Sequence, residues 1–341
     1  GVELGLTGQI IETSDFSLSV NVNGAINRGE IEKLDGTNDR FVQSNWASTD
    51  LNNINDYYLQ VGGKIGDIYG YETAGYYSVD DFESYDETTS KYILKTDVAS
   101  SGAVVGNTNI RPGFLKLVDQ LTVDTDGDGK MDAGDGIIDA KDRKVIGNTS
   151  PKIEGGFGVN ASYKGFDFSM FFNFRFGNDV YNAGKIQYNQ FRRVTYGNLL
   201  NTMNSEERFT YIDVDGSYTG TPGEVVTDLQ QLGEMNEGKS IWSHASHGIA
   251  GAVIHSWAVE DGSFLRLNNL SIGYSLPRDL ISKVGLSRFR IYATGSNLHV
   301  WTKYSGYDPE VSSYQNPLTP GLDYSSMPRG RAYTIGVDLT F

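Results

Sequence analysis

The sequence predicts an all-β protein, an antiparallel transmembrane β-barrel of which this chain supplies roughly 8–10 strands, with long loops at one rim. Three observations predict it. Apolar residues alternate with small or polar ones in seven separate runs, the period of a strand whose two faces meet different surroundings. The apolar positions are rich in aromatics, with 21 Tyr, 16 Phe and 4 Trp among 341 residues, while the positions between them are mostly Ser, Asn, Thr and Gly. The connections are either very short or very long, the layout of a barrel with turns at one end and loops at the other.

Along the chain, Val2, Leu4, Leu6, Gly8 and Ile10 alternate up to a break at Thr13-Ser14, and Phe16, Leu18, Val20 and Val22 resume. Phe157, Val159, Ala161 and Tyr163 form the next run, and Phe166, Phe168, Met170, Phe172, Phe174 and Phe176 follow after Lys164-Gly165. Two alternating runs joined by two residues ending in Gly read as a β-hairpin. Leu270, Ile272, Tyr274 and Leu276 alternate until Pro277 stops the strand, and Asp279 to Val284 fits about a turn of helix. Phe289, Ile291 and Ala293, then Tyr333, Ile335, Val337, Leu339 and Phe341, complete the set. The segments around 75–150, 178–260 and 300–330 are long, polar loops. With Phe341 at the periplasmic rim, alternation of direction puts these loops outside the cell and Lys164-Gly165 in the periplasm.

Composition narrows the function classes. Forty-three acidic against 28 basic residues give a net charge of −15, so nucleic acid is not an expected partner: no basic stripe exists to neutralise phosphates. The absence of Cys removes disulfides, thiolate catalysis and thiolate metal sites. No apolar run of ~18 residues suits a transmembrane helix, and the opening Gly-Val-Glu carries no visible secretory leader.

One local constellation points to chemistry. Asp124, Asp126, Asp128, Asp132 and Asp135 stand at positions 1, 3, 5, 9 and 12 of an EF-hand-like loop, with Gly129 for the sharp turn and Lys130 offering its carbonyl at position 7. Such spacing gathers hard oxygens for calcium. Asp at position 12 has a shorter arm than the usual Glu, no flanking helices are evident, and an Asx-rich turn would use the same residues for local hydrogen bonds. A second run from Asp135 through Asp139 to Asp142 holds half the pattern. His244, His247, His255 and His299 read as solvated loop residues, and no hydrolase, metalloprotease or phosphate-loop motif is present, so no catalytic residue and no organic cofactor is expected. Tyr304, Tyr307 and Tyr314 either stack on sugar rings or pack their loop. The alternative fold is a secreted calcium-binding β-sandwich for adhesion or ligand binding, which also alternates apolar and polar residues. A small complete barrel is a third reading.

The region from Glu260 to Pro277 (Glu-Asp-Gly-Ser-Phe-Leu-Arg-Leu-Asn-Asn-Leu-Ser-Ile-Gly-Tyr-Ser-Leu-Pro), Gly295-Ser-Asn-Leu through Tyr307-Asp-Pro-Glu310, Thr319 to Asp323, and Gly336 to Phe341 resemble the C-terminal barrel of the SusC/RagA family of TonB-dependent outer-membrane transporters of Bacteroidetes-type bacteria. Gly66 to Tyr77 and the acidic loop before the Gly-Gly-Phe and Tyr-Lys-Gly-Phe-Asp hairpin match it too, in family order. The resemblance implies import of oligosaccharides or oligopeptides through a plugged barrel of ~22 strands, beneath a SusD-like surface lipoprotein and energised by the TonB complex. It implies residence among outer-membrane lipid. No counterpart of the family's signal peptide, TonB box or plug is seen between 1 and 341, so the remaining strands and plug are expected from other parts of the transporter.

Overall fold

Strands form where alternation was read, and their register explains it. The computed structural model describes residues 1–46, 54–189, 198–243, 253–313 and 316–341. Within these, seven strands make one antiparallel sheet in the order Val2–Glu12, Phe16–Ile26, Ile153–Tyr163, Phe166–Phe176, Phe264–Ser275, Arg288–Thr302 and Ala332–Thr340. Each strand pairs with its predecessor in this series, a meander that needs no crossover.

Directly opposed residues run across the sheet as rows. One row reads Gly8, Val20, Val159, Met170, Leu270, Gly295, Tyr333. The next reads Gln9, Ser19, Asn160, Ser169, Ser271, Thr294, Thr334. Because successive side chains point to opposite faces, one face is mostly apolar and the other mostly polar. The apolar face is open: Val2 is 71% exposed, Leu4 61%, Leu6 64% and Ile335 83%. A water-soluble monomer rarely bares a contiguous surface of this kind.

Aromatics gather near both ends of the apolar face. Phe16 meets Tyr163 and Phe166 meets Tyr274 beside the short turns. Toward the loops, Phe157 stacks on Phe172, Phe172 on Trp301, and Phe174 on Phe176. Two girdles bounding an aliphatic band are how a barrel meets the two interfaces of a bilayer.

The β-sandwich alternative requires a second sheet over that face. Among the described residues, none of the three hydrophobic clusters takes a residue from it; all three are built from loop side chains. The fold is therefore a section of barrel wall, an open sheet whose edges are Val2–Glu12 and Ala332–Thr340.

The short connections behave as expected. Lys164 (φ +45°) and Gly165 (φ +88°) are both left-handed, as a two-residue turn matching strand twist requires. Arg278–Ile281 and the 3₁₀ turn Ser282–Val284 join the fifth and sixth strands and end at left-handed Gly285. The strand count differs from expectation, at seven rather than eight to ten. The reason is that the first long excursion begins after Ile26, not near residue 75, and consumes chain up to Ile153.

The long segments fold together at one rim. Asp39–Val42, Tyr57–Gln60, Asp67–Gly70 and Lys144–Asn148 make a four-stranded sheet inside the first excursion. Asp179–Asn182 of the second pairs with Val259–Asp261 and with Leu322–Asp323 of the third. Trp46, Tyr57, Ile68, Tyr181, Ile254 and Leu322 share one core, and Tyr57 donates to the Pro320 carbonyl at 2.8 Å, so the three excursions are one folded cap.

Candidate functional site

The polar face of the wall carries charged groups along its strands. Three of the polar-face arginines find a carboxylate. Arg175 contacts Glu154 on the facing strand at 3.1 Å. Arg290 bridges Asp167 (2.6 Å) and Asp338 (3.3 Å) near the short-turn rim. Arg266, buried to 2%, contacts Asp308 at 2.6 Å and Glu310 at 3.4 Å, and also donates to Asn297 Oδ1 at 2.5 Å. Arg329 closes that cluster, 3.4 Å from Asp308 and 2.9 Å from Glu310. The third excursion is thus pinned to the wall through charge.

Sequence reasoning missed this network. The signal was present: an Arg at a polar position in an alternating run must be neutralised once it is taken out of bulk water. Its partner, 42 residues away, could not be read from spacing.

The acidic loop closes on itself. Val123 bridges Ala133, with Val123 N donating to Ala133 O at 2.9 Å and Asp132 N to Val123 O at 2.8 Å. Gly127 and Gly129 take the left-handed conformations (φ +78° and +86°) that turn the chain. Asp124 accepts from both their amides, at 2.7 and 2.9 Å, and the Gly129 amide above all holds its carboxyl below the ordinary range. Asp124, Asp126 and Asp128 each offer an oxygen within 4.8 Å of the others. The remaining expected ligands lie apart. Asp132 accepts from the Thr125 hydroxyl and amide, Asp135 from Ile137 N and Lys141 Nζ, and the Lys130 ammonium turns back to Asp128. The structure thus joins three of the six predicted residues and gives the others to local turn chemistry.

The second acidic run is wholly structural. Buried Asp142 accepts from Gln120 N and Asp139 N, capping the turn Ala140–Asp142. Asp119, which sequence reasoning did not single out, accepts from Gly136 N and lies where a Gly134 side chain would be, 2.4 Å from an added Cβ. Burial, then neighbouring Asp142 and Asp135, raise its carboxyl above the usual range.

The histidine reading needs correction. His255 is not solvated but buried, its Nδ1 2.7 Å from Thr73 Oγ1 and its ring stacked on Trp257. Burial first, and Lys185 second, push its pKa down to about 3, so it is a neutral core residue. A short bridge between Tyr71 and His255 draws it inward, which no local pattern reveals. His299 lies on the wall against Trp301, and His244 and His247 fall outside the described residues. Of the loop tyrosines, Tyr304 is packing: it is buried and donates to Asp323 at 2.5 Å, with burial and that carboxylate raising its pKa. Tyr307 is 75% exposed, and Tyr314 is outside the described residues.

A second caged carboxylate shows how the cap holds its turns. Asp213 accepts from the amides of Gly216, Ser217, Tyr218 and Thr219 at 2.7–3.1 Å and from the Thr219 hydroxyl. Desolvation pushes upward but is outweighed by these donors, Thr219 N first, and the pKa falls to about 2. A carboxyl depressed on folding stabilises above its unfolded value near 4 and loses that contribution as pH falls through about 2. Hydrogen exchange at Gly216–Thr219 should be flat from pH 8 to 5, after correction for intrinsic rates, and lose protection below pH 4. Asp213→Asn should remove the dependence, and an unchanged acid profile in that variant would refute the assignment.

Comparison with known proteins places the wall. No family model matches the chain. It is 28% identical over 347 residues to TonB-dependent receptor P3 of Formosa agariphila, covering all of this chain and 28% of that protein. TonB-dependent receptor SusC of Bacteroides thetaiotaomicron is 25% identical, with 100% of this chain and 26% of that protein covered. A structure of the RagAB peptide transporter superposes with a TM-score of 0.65 at 19% identity, over 99% of this chain and 28% of that one. The closed-closed state of the RagAB peptide importer gives 0.63 at 21% identity. The chain spans under a third of the length of the curated relatives that it matches. The resemblance implied by its motifs holds along its whole length, and the fold is that of part of such a barrel.

Proposed function

We propose, from a chain that resembles SusC- and RagA-type TonB-dependent receptors from end to end, that it forms a section of wall and the outer loops of an outer-membrane nutrient importer. The observation that carries this reading is the pair of adjacent rows, apolar from Gly8 to Tyr333 and polar from Gln9 to Thr334. One face suits lipid and the other a water-filled lumen. Unpaired edge groups cost several kcal/mol each in hydrocarbon, so Val2–Glu12 and Ala332–Thr340 pair with further strands of the whole transporter. The cargo is an oligosaccharide or oligopeptide, the cap lies outside beneath a SusD-like lipoprotein, and a plug reached by the TonB complex completes the machine.

Orientation is testable because the chain has no Cys to confuse labelling. On intact cells an impermeant maleimide should modify Asp215→Cys and leave Lys164→Cys untouched until the outer membrane is opened. Labelling of Lys164→Cys alone would reverse the topology. For transport itself, deleting the full gene should abolish accumulation of labelled oligosaccharide or oligopeptide, and collapsing the proton-motive force should do the same. Accumulation indifferent to the deletion refutes import.

The acidic loop belongs to this proposal. Placed outside, it meets calcium at concentrations that fill sites with dissociation constants of roughly 10⁻⁴–10⁻³ M. Asp124, Asp126 and Asp128 are the residues that supply its oxygens. Calorimetry should register calcium binding to the whole protein and lose it in Asp124→Asn/Asp128→Asn, with loop 119–150 loosened and the wall intact. Absence of any calcium heat in the unaltered protein overturns it.

A further inference from the structure

Where the second, third and fourth wall strands meet the cap lies a cavity of about 820 Å³, bordered by the segments 27–31, 62–65, 148–152 and 177–179. That volume falls within the range of small-ligand pockets. Six charged residues line it, and their states of pairing differ. Asp179 accepts from Asn148 N at 2.8 Å and Asp261 from Ser263 N at 2.9 Å, so each carboxylate also holds a backbone amide. Arg28, Lys64 and Lys152 come from three separate segments, and among the described residues none has a carboxylate within ion-pairing distance. Arg28, Glu30, Lys64 and Lys152 are all exposed at the border, with Glu30 near Gly62. Three cations without an ion pair thus share the cavity with three carboxylates, of which Asp179 feels the Lys152 charge.

Lys152 is also held in place. Its aliphatic stem packs where a Gly177 side chain would sit (2.7 Å from an added Cβ), and its amide donates to Phe176 O at 2.9 Å. By strand parity it continues the polar face beyond Glu154.

We propose that this cavity is a cargo subsite for a carboxylate, held by Arg28, Lys64 and Lys152, on an otherwise polar ligand. The inference rests on the import reading and narrows it: a uronate-bearing oligosaccharide and an acidic peptide share that chemistry, whereas a neutral glycan lacks it. Guanidinium and ammonium groups form strong charge-assisted bonds to carboxylate.

Calorimetry on the whole transporter in detergent at low salt separates the outcomes, with trigalacturonate, a neutral galactotriose and a Glu-rich tripeptide as probes. Arg28→Gln/Lys64→Gln should weaken whichever carboxylate probe binds by about tenfold and change galactotriose binding less than twofold. Trigalacturonate alone binding identifies an acidic-glycan site, and the tripeptide alone an acidic-peptide site. Lys152→Arg, which keeps charge, should retain affinity. Equal losses for charged and neutral probes, or no carboxylate binding by the unaltered protein, overturn the subsite. Uptake that persists in the double variant while probe affinity is also unchanged refutes the subsite and leaves the import reading standing.

Discussion

Replacing Arg266 by Met should release the third long loop from the barrel wall. Arg266 is buried to 2%, and removing one partner of a buried ion pair costs about 3–5 kcal/mol because the other charge is left desolvated. Asp308 would be that stranded charge, with Glu310 beside it. Arg329 still reaches both acids, so the loss should lie near the low end, about 3 kcal/mol. Arg329→Met, at a half-exposed site, should cost about 0–1 kcal/mol. The readout is hydrogen exchange across 303–331, where Glu310 N is bonded to Asp308. Adding Asp308→Asn to Arg266→Met should restore much of the protection, since no bare carboxylate then remains. Equal small effects for both arginines would mean that the loop is held by packing alone.

Leu270→Arg should impair assembly strongly, while Ser271→Arg, one residue on, should not. Leu270 lies between Met170 and Gly295 in the apolar row, and Ser271 between Ser169 and Thr294 in the polar row. Arg on the lipid face near the bilayer centre costs about 2–4 kcal/mol, whereas lumen positions tolerate charge. Refolding of the whole barrel into vesicles across a urea series measures both.

All seven wall strands were legible because period two is a local signal, complete within five or six residues of Phe16–Ile26 or Phe166–Phe176. In two strands the signal was truncated where bulges had broken it. Phe264–Ser275 was read only from Leu270, because its pairing shifts between Leu267 and Asn269. Arg288–Thr302 was read only to Thr294, before Asn297 takes φ +52° and the alternation slips. The cap was illegible for a different reason. Its strands are two to five residues long and pair over long separations, as Asp67–Gly70 does with Lys144–Asn148. Four residues cannot display a period, and buried Ile68, Tyr181 and His255 follow from contacts that only the folded cap creates. The acidic loop was half legible. Spacing found Asp124, Asp126 and Asp128, but Thr125 claims Asp132 through bonds that spacing does not encode.

The central claim is that one sheet face meets lipid and the other water. Single Cys substitutions at Ser169, Met170, Phe172 and Asn173, carrying spin labels in the whole protein in bilayers, test it directly. The register predicts that labels at Met170 and Phe172 are relaxed by oxygen, which dissolves in lipid. Labels at Ser169 and Asn173 should be relaxed by a water-soluble nickel complex instead. Loss of this alternation, with all four positions equally open to nickel, would contradict a membrane-spanning wall.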